Sequence, residues 1–110
     1  MKQYVIDELR PEDHKALKKY LDEEFGPAAM DSIYWIPVDT DLLTNVHLQH
    51  RECRPHYLAL DLGPGRIACE LLVRTKNRMR CDCIQYATEQ QRNLLIELVD
   101  NMFNRLGIAS

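Results

Sequence analysis

Three of the four histidines and one of the four cysteines of this chain fall within residues 46–56, which read VHLQHRECRPH. They recur at every third position: His47, His50, Cys53 and His56. Imidazole nitrogens and thiolate sulfurs are the ligands that structural zinc prefers, usually four around one ion. Further along the chain, Cys81 and Cys83 offer two more thiols. The composition of these two segments therefore raises the question of a metal site.

The histidine-rich stretch ends a predicted helix, for which residues 39–41 offer an N-cap and Pro55 a stop. If the helix is straight and each residue advances by about 100°, Cys53 falls in the centre of the apolar stripe. Cys53 and His47 then point about 120° apart, so one ion could not bind both. His50 paired with either of them could still supply two ligands.

Two interpretations follow from this pattern. The first, which the sequence favours, is that Cys53 is a small buried apolar residue, that the histidines are partly exposed, and that no cofactor is bound. The second is a structural zinc site formed by His50, Cys53, Cys81 and Cys83. Zinc sites with two Cys-x-x-Cys pairs have a stronger signature, whereas the close pair here is Cys-x-Cys on a predicted strand.

Residues 1–110 are expected to form a single α+β domain with the element order β-α-β-α-β-β-β-α. We expect about three helices covering one face of a mainly antiparallel sheet of four to five strands, with a ferredoxin-like arrangement as the alternative. The first helix is marked by Pro11 at its start and Gly26 at its end. The last helix is marked by Thr88 and Gln91 at capping-box spacing and by Gly107.

Period-two alternation of apolar residues on both sides of the Gly-Pro-Gly at residues 63–65 predicts a β-hairpin. A similar alternation predicts another strand through the Cys-x-Cys pair. A three-residue turn would set Val73 opposite Cys81 and Leu71 opposite Cys83, so that both thiols face the core. Thiols in such a position have a raised pKa and low reactivity, which argues against redox chemistry.

The net charge of −3 is unevenly distributed. Residues 1–41 contain five basic and ten acidic groups, whereas residues 42–110 contain nine basic and seven acidic groups. The chain has no apolar run long enough for a membrane span, and its first residues lack an apolar signal core. We therefore expect a cytoplasmic protein with reduced thiols and no membrane partner.

A cluster of cations, RTKNRMR, gives a candidate site for phosphate or RNA, formed by Arg74, Lys76, Arg78 and Arg80. Proteins that bind single strands interleave aromatic residues with their cations, and this segment contains none. Tyr57 and Tyr86 are the nearest in sequence. The alternatives are a solvated turn and pairing of the cations with the acidic first helix, at Asp22, Glu23 and Glu24.

Residues 8–23, ELRPEDHKALKKYLDE, resemble the first strand and helix of acetyl-CoA-dependent N-acetyltransferases. The resemblance implies a glycine-rich turn whose N–H groups bind pyrophosphate. However, Gly63 and Gly65 enclose Pro64, which has no N–H, and no Ser-His-Asp set, nucleotide loop or HExxH motif is present. The sequence leans against an enzyme, and we assign no catalytic residue.

The function that the sequence favours is a small intracellular binding or assembly module, with a protein partner or a second copy in a homodimer. Candidate interface residues are the aromatic pair Tyr34 and Trp35 and, on the broad apolar face of the last helix, Met102 and Phe103. For both pairs, filling of the chain's own core is the alternative.

Overall fold

The structure is a computed structural model that describes residues 2–28, 30, 32–76 and 80–108. Its strands are β1 (Gln3–Ile6), β2 (Ile33–Pro37), β3 (His56–Leu62), β4 (Ile67–Glu70), β5 (Leu72–Thr75) and β6 (Gln85–Tyr86). Its helices are α1 (Pro11–Phe25), α2 (Asn45–Gln49) and α3 (Glu89–Leu106). One six-stranded sheet with antiparallel pairings and three α-helices confirm the predicted α+β class.

Strand β3 lies at the centre of the sheet. One of its edges pairs with β2 and the other with β4 and β5. Beyond these, β1 pairs with β4 and β6 pairs with β5. Leu71 joins the two outer strands, because its N–H donates to the carbonyl of Lys2 and its carbonyl accepts from the N–H of Ala87.

The hairpin predicted around residues 63–65 is present, with Leu62 opposite Ile67. Its second strand was predicted as one piece but is divided into β4 and β5. Leu60 pairs with Cys69 and His56 pairs with Thr75, so the second strand uses two more residues than β3 over the same distance. Extra residues of this kind form a bulge, which bends the strand and interrupts its pairing.

Both long helices begin as their sequences predict. Pro11 occupies the first turn of α1, and the carboxylate of Asp13 accepts a hydrogen bond of 3.1 Å from the N–H of Arg10. In α3 the hydroxyl of Thr88 accepts from the N–H of Gln91, whose side-chain oxygen accepts from the N–H of Thr88. These bonds satisfy N–H groups that a helix start otherwise leaves without partners.

Helices α1 and α3 pack on the same face of the sheet, which we call the inner face. Tyr34 of β2 donates a hydrogen bond of 2.6 Å to Asp22 of α1, and Tyr4 of β1 lies 3.5 Å from Asp100 of α3. The buried core between these layers consists largely of aliphatic side chains from β3, β4, β5 and the two helices. None of the described helices combines the length and the apolar character of a membrane span.

The helix predicted through residues 40–54 is wrong in its extent. In its place are a 3₁₀ turn at Thr40–Leu42, the short helix α2 and a second 3₁₀ turn at Arg51–Cys53. A new helix start intervenes at Thr44, whose hydroxyl accepts from the N–H of His47 while the ring of His47 accepts from the N–H of Thr44. This local capping competes with a continuous helix.

We expect Thr88→Ala to lower the free energy of unfolding by about 1 kcal/mol, because it removes the hydroxyl that caps α3. Thr88→Ser is the matched control, since it keeps the hydroxyl and should retain most of the stability. Urea unfolding followed by circular dichroism measures both. Equal losses in the two variants would contradict a role for the cap.

Candidate metal centre

Four potential metal ligands converge at one end of the sheet's inner face: His50, Cys53, Cys81 and Cys83. Their ligand atoms all lie within 4.8 Å of one another. The sulfurs of Cys53 and Cys81 are 3.7 Å apart, and the sulfur of Cys81 is 3.2 Å from Nδ1 of His50. The structure thus brings together the four residues of the zinc alternative, which the sequence alone did not favour.

These distances can be compared with those of a zinc centre. Zinc binds sulfur at about 2.3 Å and nitrogen at about 2.0–2.1 Å in a tetrahedron. The edges of such a tetrahedron measure about 3.75 Å between sulfurs and about 3.5 Å between sulfur and nitrogen. The 3.7 Å and 3.2 Å separations are close to these edges, and 3.7 Å is far too long for a disulfide bond. Small side-chain adjustments would complete the tetrahedron.

The break in the predicted helix places His50 and Cys53 on the same side of the chain. His50 leaves the helical conformation with φ −96° and ψ 64°, and the following 3₁₀ turn is closed by a hydrogen bond from the N–H of Cys53 to the carbonyl of His50. In 3₁₀ geometry, residues three apart are nearly eclipsed. The two ligands therefore point in more nearly the same direction than on a straight α-helix, where residues three apart differ by about 60°.

Cys81 and Cys83 do not lie on a strand, contrary to the prediction. They sit in a turn closed by a hydrogen bond of 3.0 Å from the N–H of Ile84 to the carbonyl of Cys81. The predicted register is also wrong, because Val73 lies opposite Gln85. The loop between β5 and β6 is longer than the three-residue turn that we expected, so both thiols can turn toward the 3₁₀ segment.

Cys69 is not part of the group. It lies in β4 between Tyr4 and Leu60 and is fully buried in the apolar core. Burial raises the pKa of Cys69 to about 12. Among the four cysteines, this one alone fits the interpretation of a small buried apolar residue, which the sequence had offered for Cys53.

The three clustered thiols differ in acidity. The pKa of Cys81, which is partly exposed, falls to about 7 because a hydrogen bond from the backbone of Cys83 stabilises its thiolate. Burial raises the pKa of Cys53 and raises that of Cys83 to about 12. Burial disfavours the negatively charged thiolates. A dication between the sulfurs would stabilise them and would allow all three thiols to ionise.

The edge of the sheet holds the 3₁₀ turn in place. Thr75, the last residue of β5, donates its hydroxyl to the carbonyl of Cys53. Because Thr75 pairs with His56, this bond ties the ligand-bearing segment to the point where β3 begins. The position of Cys53 is therefore set by the pairing of β3 with β5.

His47 and His56 are buried next to this centre but do not belong to it. Their ring centroids are 4.7 Å apart. Burial lowers the pKa of both, that of His56 to about 4. Neither ring nitrogen of His56 has a hydrogen-bond partner among the described residues. Both rings are consequently neutral in the folded chain near pH 7. They pack against each other in the buried region beside the candidate metal ligands.

The cations of the predicted phosphate site are not equally available. The guanidinium of Arg74 forms an ion pair with Glu70, one nitrogen–oxygen distance being 3.3 Å. Lys76 and Arg80 are exposed, and Arg78 lies outside the described residues. Glu70 is thus a counter-charge that the sequence pattern did not reveal.

Three of the four candidate interface residues are in the core. Tyr34, Met102 and Phe103 are 2%, 1% and 2% exposed, respectively. Because the chain's own side chains cover them, they are not available to a second subunit, and the prediction is corrected in favour of core filling. Trp35 is different, since it is only half-buried and lies on the opposite face of the sheet.

Comparisons with known proteins give no family assignment. No protein-family model, curated protein or solved structure matches the chain. The functional interpretation therefore depends on the geometry of the chain's own side chains.

The pKa of His56 differs between the folded and the unfolded chain, and this difference predicts how stability depends on pH. The folded state protonates His56 only near pH 4, whereas the unfolded chain takes up this proton near 6.5. The unfolded state therefore binds more protons between these values, and the free energy of unfolding falls as the pH drops through this window. His56→Phe should lose less stability than the wild type between pH 7 and about pH 5.

The measurement is urea unfolding of both proteins at the two pH values with saturating zinc. Protonation of the metal ligands weakens both proteins and cancels in the comparison. An equal loss of stability in the wild type and His56→Phe would contradict the buried, neutral state of His56.

Proposed function

We propose that this chain is a small zinc-binding module in which His50, Cys53, Cys81 and Cys83 hold one zinc ion. The observation that carries the proposal is the convergence of four ligand atoms within 4.8 Å of one another. A site of three cysteines and one histidine is a known composition for structural zinc, and thiolate-rich sets of four favour zinc over magnesium or calcium. The proposal replaces the expectation that the chain binds no cofactor.

The ligand set favours a structural role for the ion. Four protein ligands fill the tetrahedral coordination of zinc and leave no open position for a substrate or a catalytic water. Cys53 and Cys83 are fully buried, which limits the access of solvent to one side of the site.

The zinc would tie together two segments that are far apart in sequence. Cys53 and Cys81 are separated by 28 positions. One pair of ligands follows α2, and the other lies in the loop between β5 and β6. Binding of the ion would fix this loop, with its exposed Arg80, against the end of the sheet. Metal binding therefore contributes to folding here, as it does in other small zinc domains.

We expect the purified protein to contain about one zinc ion per chain and to lose stability when the metal is removed. Free zinc at a hundred times its Kd should raise the free energy of unfolding by about 2.7 kcal/mol. Elemental analysis and thermal unfolding with and without a chelator measure these quantities. Zinc far below one ion per chain, even after refolding with zinc, would refute the site.

Alanine replacement of single cysteines separates the site from general core packing. Cys53→Ala, Cys81→Ala and Cys83→Ala should each weaken zinc binding by at least about tenfold. Cys69→Ala is the matched control, because this thiol is fully buried but outside the cluster. It should lower stability while leaving one zinc bound. If Cys69→Ala loses zinc as the others do, the assignment of ligands is wrong.

The wider function that we propose is binding or assembly, with the zinc supporting the surface that contacts a partner. A homodimer and a cytoplasmic location remain predictions. Light scattering at high protein concentration tests the first, and localisation of a tagged chain tests the second.

A further inference from the structure

We propose that the outer face of the sheet, opposite α1 and α3, binds single-stranded nucleic acid. Bases would stack on three aromatic side chains of this face, Trp35, Tyr57 and Tyr86. Phosphates would be bound by two lysines that lie over those rings, Lys76 and Lys2. The proposal rests on the sheet and its side chains, and it does not depend on the identity of the metal.

Neither long helix covers the outer face. The hydrogen bonds from Tyr34 to α1 and between Tyr4 and α3 place both helices on the inner face. Alternation along β3 directs the buried His56, Leu58, Leu60 and Leu62 inward and directs Tyr57, Ala59 and Asp61 outward. The outward residues of β2, Ile33, Trp35 and Pro37, are also half-buried or exposed. Within the part of the chain that the structure describes, this face is therefore open to a partner.

The register of the strands places three aromatic side chains on this face. Trp35 and Tyr57 come from neighbouring strands and meet edge to face, with ring centroids 5.9 Å apart. Tyr57 pairs with Arg74 of β5. Leu72 precedes Arg74 by two residues in β5 and lies on the same face of the sheet. It pairs with Tyr86 of β6, and the side chain of Tyr86 is 54% exposed. The three rings thus lie on the same face of the sheet, with Trp35 and Tyr86 each displaced by two residues along the strand direction from Tyr57.

Each of these three rings has a lysine ammonium group beside it. The Nζ of Lys76 lies 4.4 Å from the ring centroid of Tyr57 and 5.7 Å from that of Trp35. At the other end, the Nζ of Lys2 lies 5.4 Å from the ring centroid of Tyr86. Exposed contacts of this kind are weak. A lysine can therefore leave the ring for a phosphate at small cost when a base takes its place.

The other charges of this face are compatible with a polyanion. Glu70 is neutralised by its ion pair with Arg74, so neither is available for a new partner. Asp61 is an exposed carboxylate of β3, and it pairs with Ile33 of β2. It lies two residues along β3 from Ala59, which is the residue opposite Trp35. Lys76 and Lys2 are exposed beside the rings. We accordingly assign phosphate contacts to these two lysines and not to Arg74.

The combination of open rings and adjacent cations favours nucleic acid over a protein partner. Every base has a π face that can stack on an aromatic side chain, and every nucleotide carries a negative charge for the neighbouring lysine. A second copy of the chain would instead bring like-charged lysines toward each other and bury them, which costs free energy. Arg80, in the loop between β5 and β6, is also exposed.

The single tryptophan makes the proposal directly measurable, because Trp35 is the only one in the chain and lies on this face. Titration of the purified protein with oligo-dT or oligo-U of about twelve nucleotides should quench its fluorescence. Two phosphate contacts predict a slope of about −1.4 in a plot of log K against log salt concentration. Absence of quenching at low salt would overturn the proposal, as would equal affinity for a duplex of the same length.

Variants with matched controls test the assigned residues. Tyr57→Ala and Lys76→Glu should each weaken binding by at least about fivefold. Tyr20→Ala and Lys19→Glu change the same residue types on α1, on the other side of the sheet, and should leave the affinity within about twofold. Circular dichroism checks that each variant is folded, and fluorescence anisotropy of a labelled oligonucleotide serves for all of them.

Two outcomes of these measurements would overturn the proposal. One is an equal loss of affinity in Lys19→Glu and Lys76→Glu, which would show that only the total charge matters. The other is a dimer in light scattering that dissociates in Tyr57→Ala, which would assign this face to a second copy of the chain. A loss confined to Tyr57→Ala and Lys76→Glu would support it.

Discussion

The close approach of three thiols and one imidazole is the constraint around which this end of the structure is arranged. Cys53, Cys81 and Cys83 lie together with the ring of His50 at the end of a sheet, and two of the sulfurs are fully buried. Neutral thiols would make this a weakly polar pocket, whereas thiolates require a positive charge between them. A zinc ion would satisfy this requirement, and it would turn a contact between two distant segments into a strong link.

The sheet gives the molecule two different sides. Inward residues of β3 and β4, including Leu58, Leu60 and Ile67, are closed off by the helices and provide the core. The outward side carries aromatic rings with lysines above them, such as Tyr57 and Lys76, which are partly accessible. At one end of the sheet, the candidate metal ligands bring the segment after α2 against the loop between β5 and β6.

Local features were predictable where a few neighbouring residues decide the structure. The caps of α3 at Thr88 and Gly107 and the hairpin at residues 63–65 follow from side-chain hydrogen bonds and backbone preferences within a few positions. The helix through residues 40–54 was wrong for a local reason as well. Thr44 starts a new helix with His47, a pairing that apolar periodicity does not detect.

The α+β class, the two long helices and the alternation of β3 could be predicted from the sequence, which also contains four suitable metal ligands. The meeting of His50 and Cys53 with Cys81 and Cys83 could not, because it depends on the 3₁₀ turn at Arg51–Cys53 and on the register of β5 with β6. The same register places Tyr86 on the same face of the sheet as Trp35 and Tyr57. Contacts between residues far apart in sequence depend on pairings that no local pattern encodes.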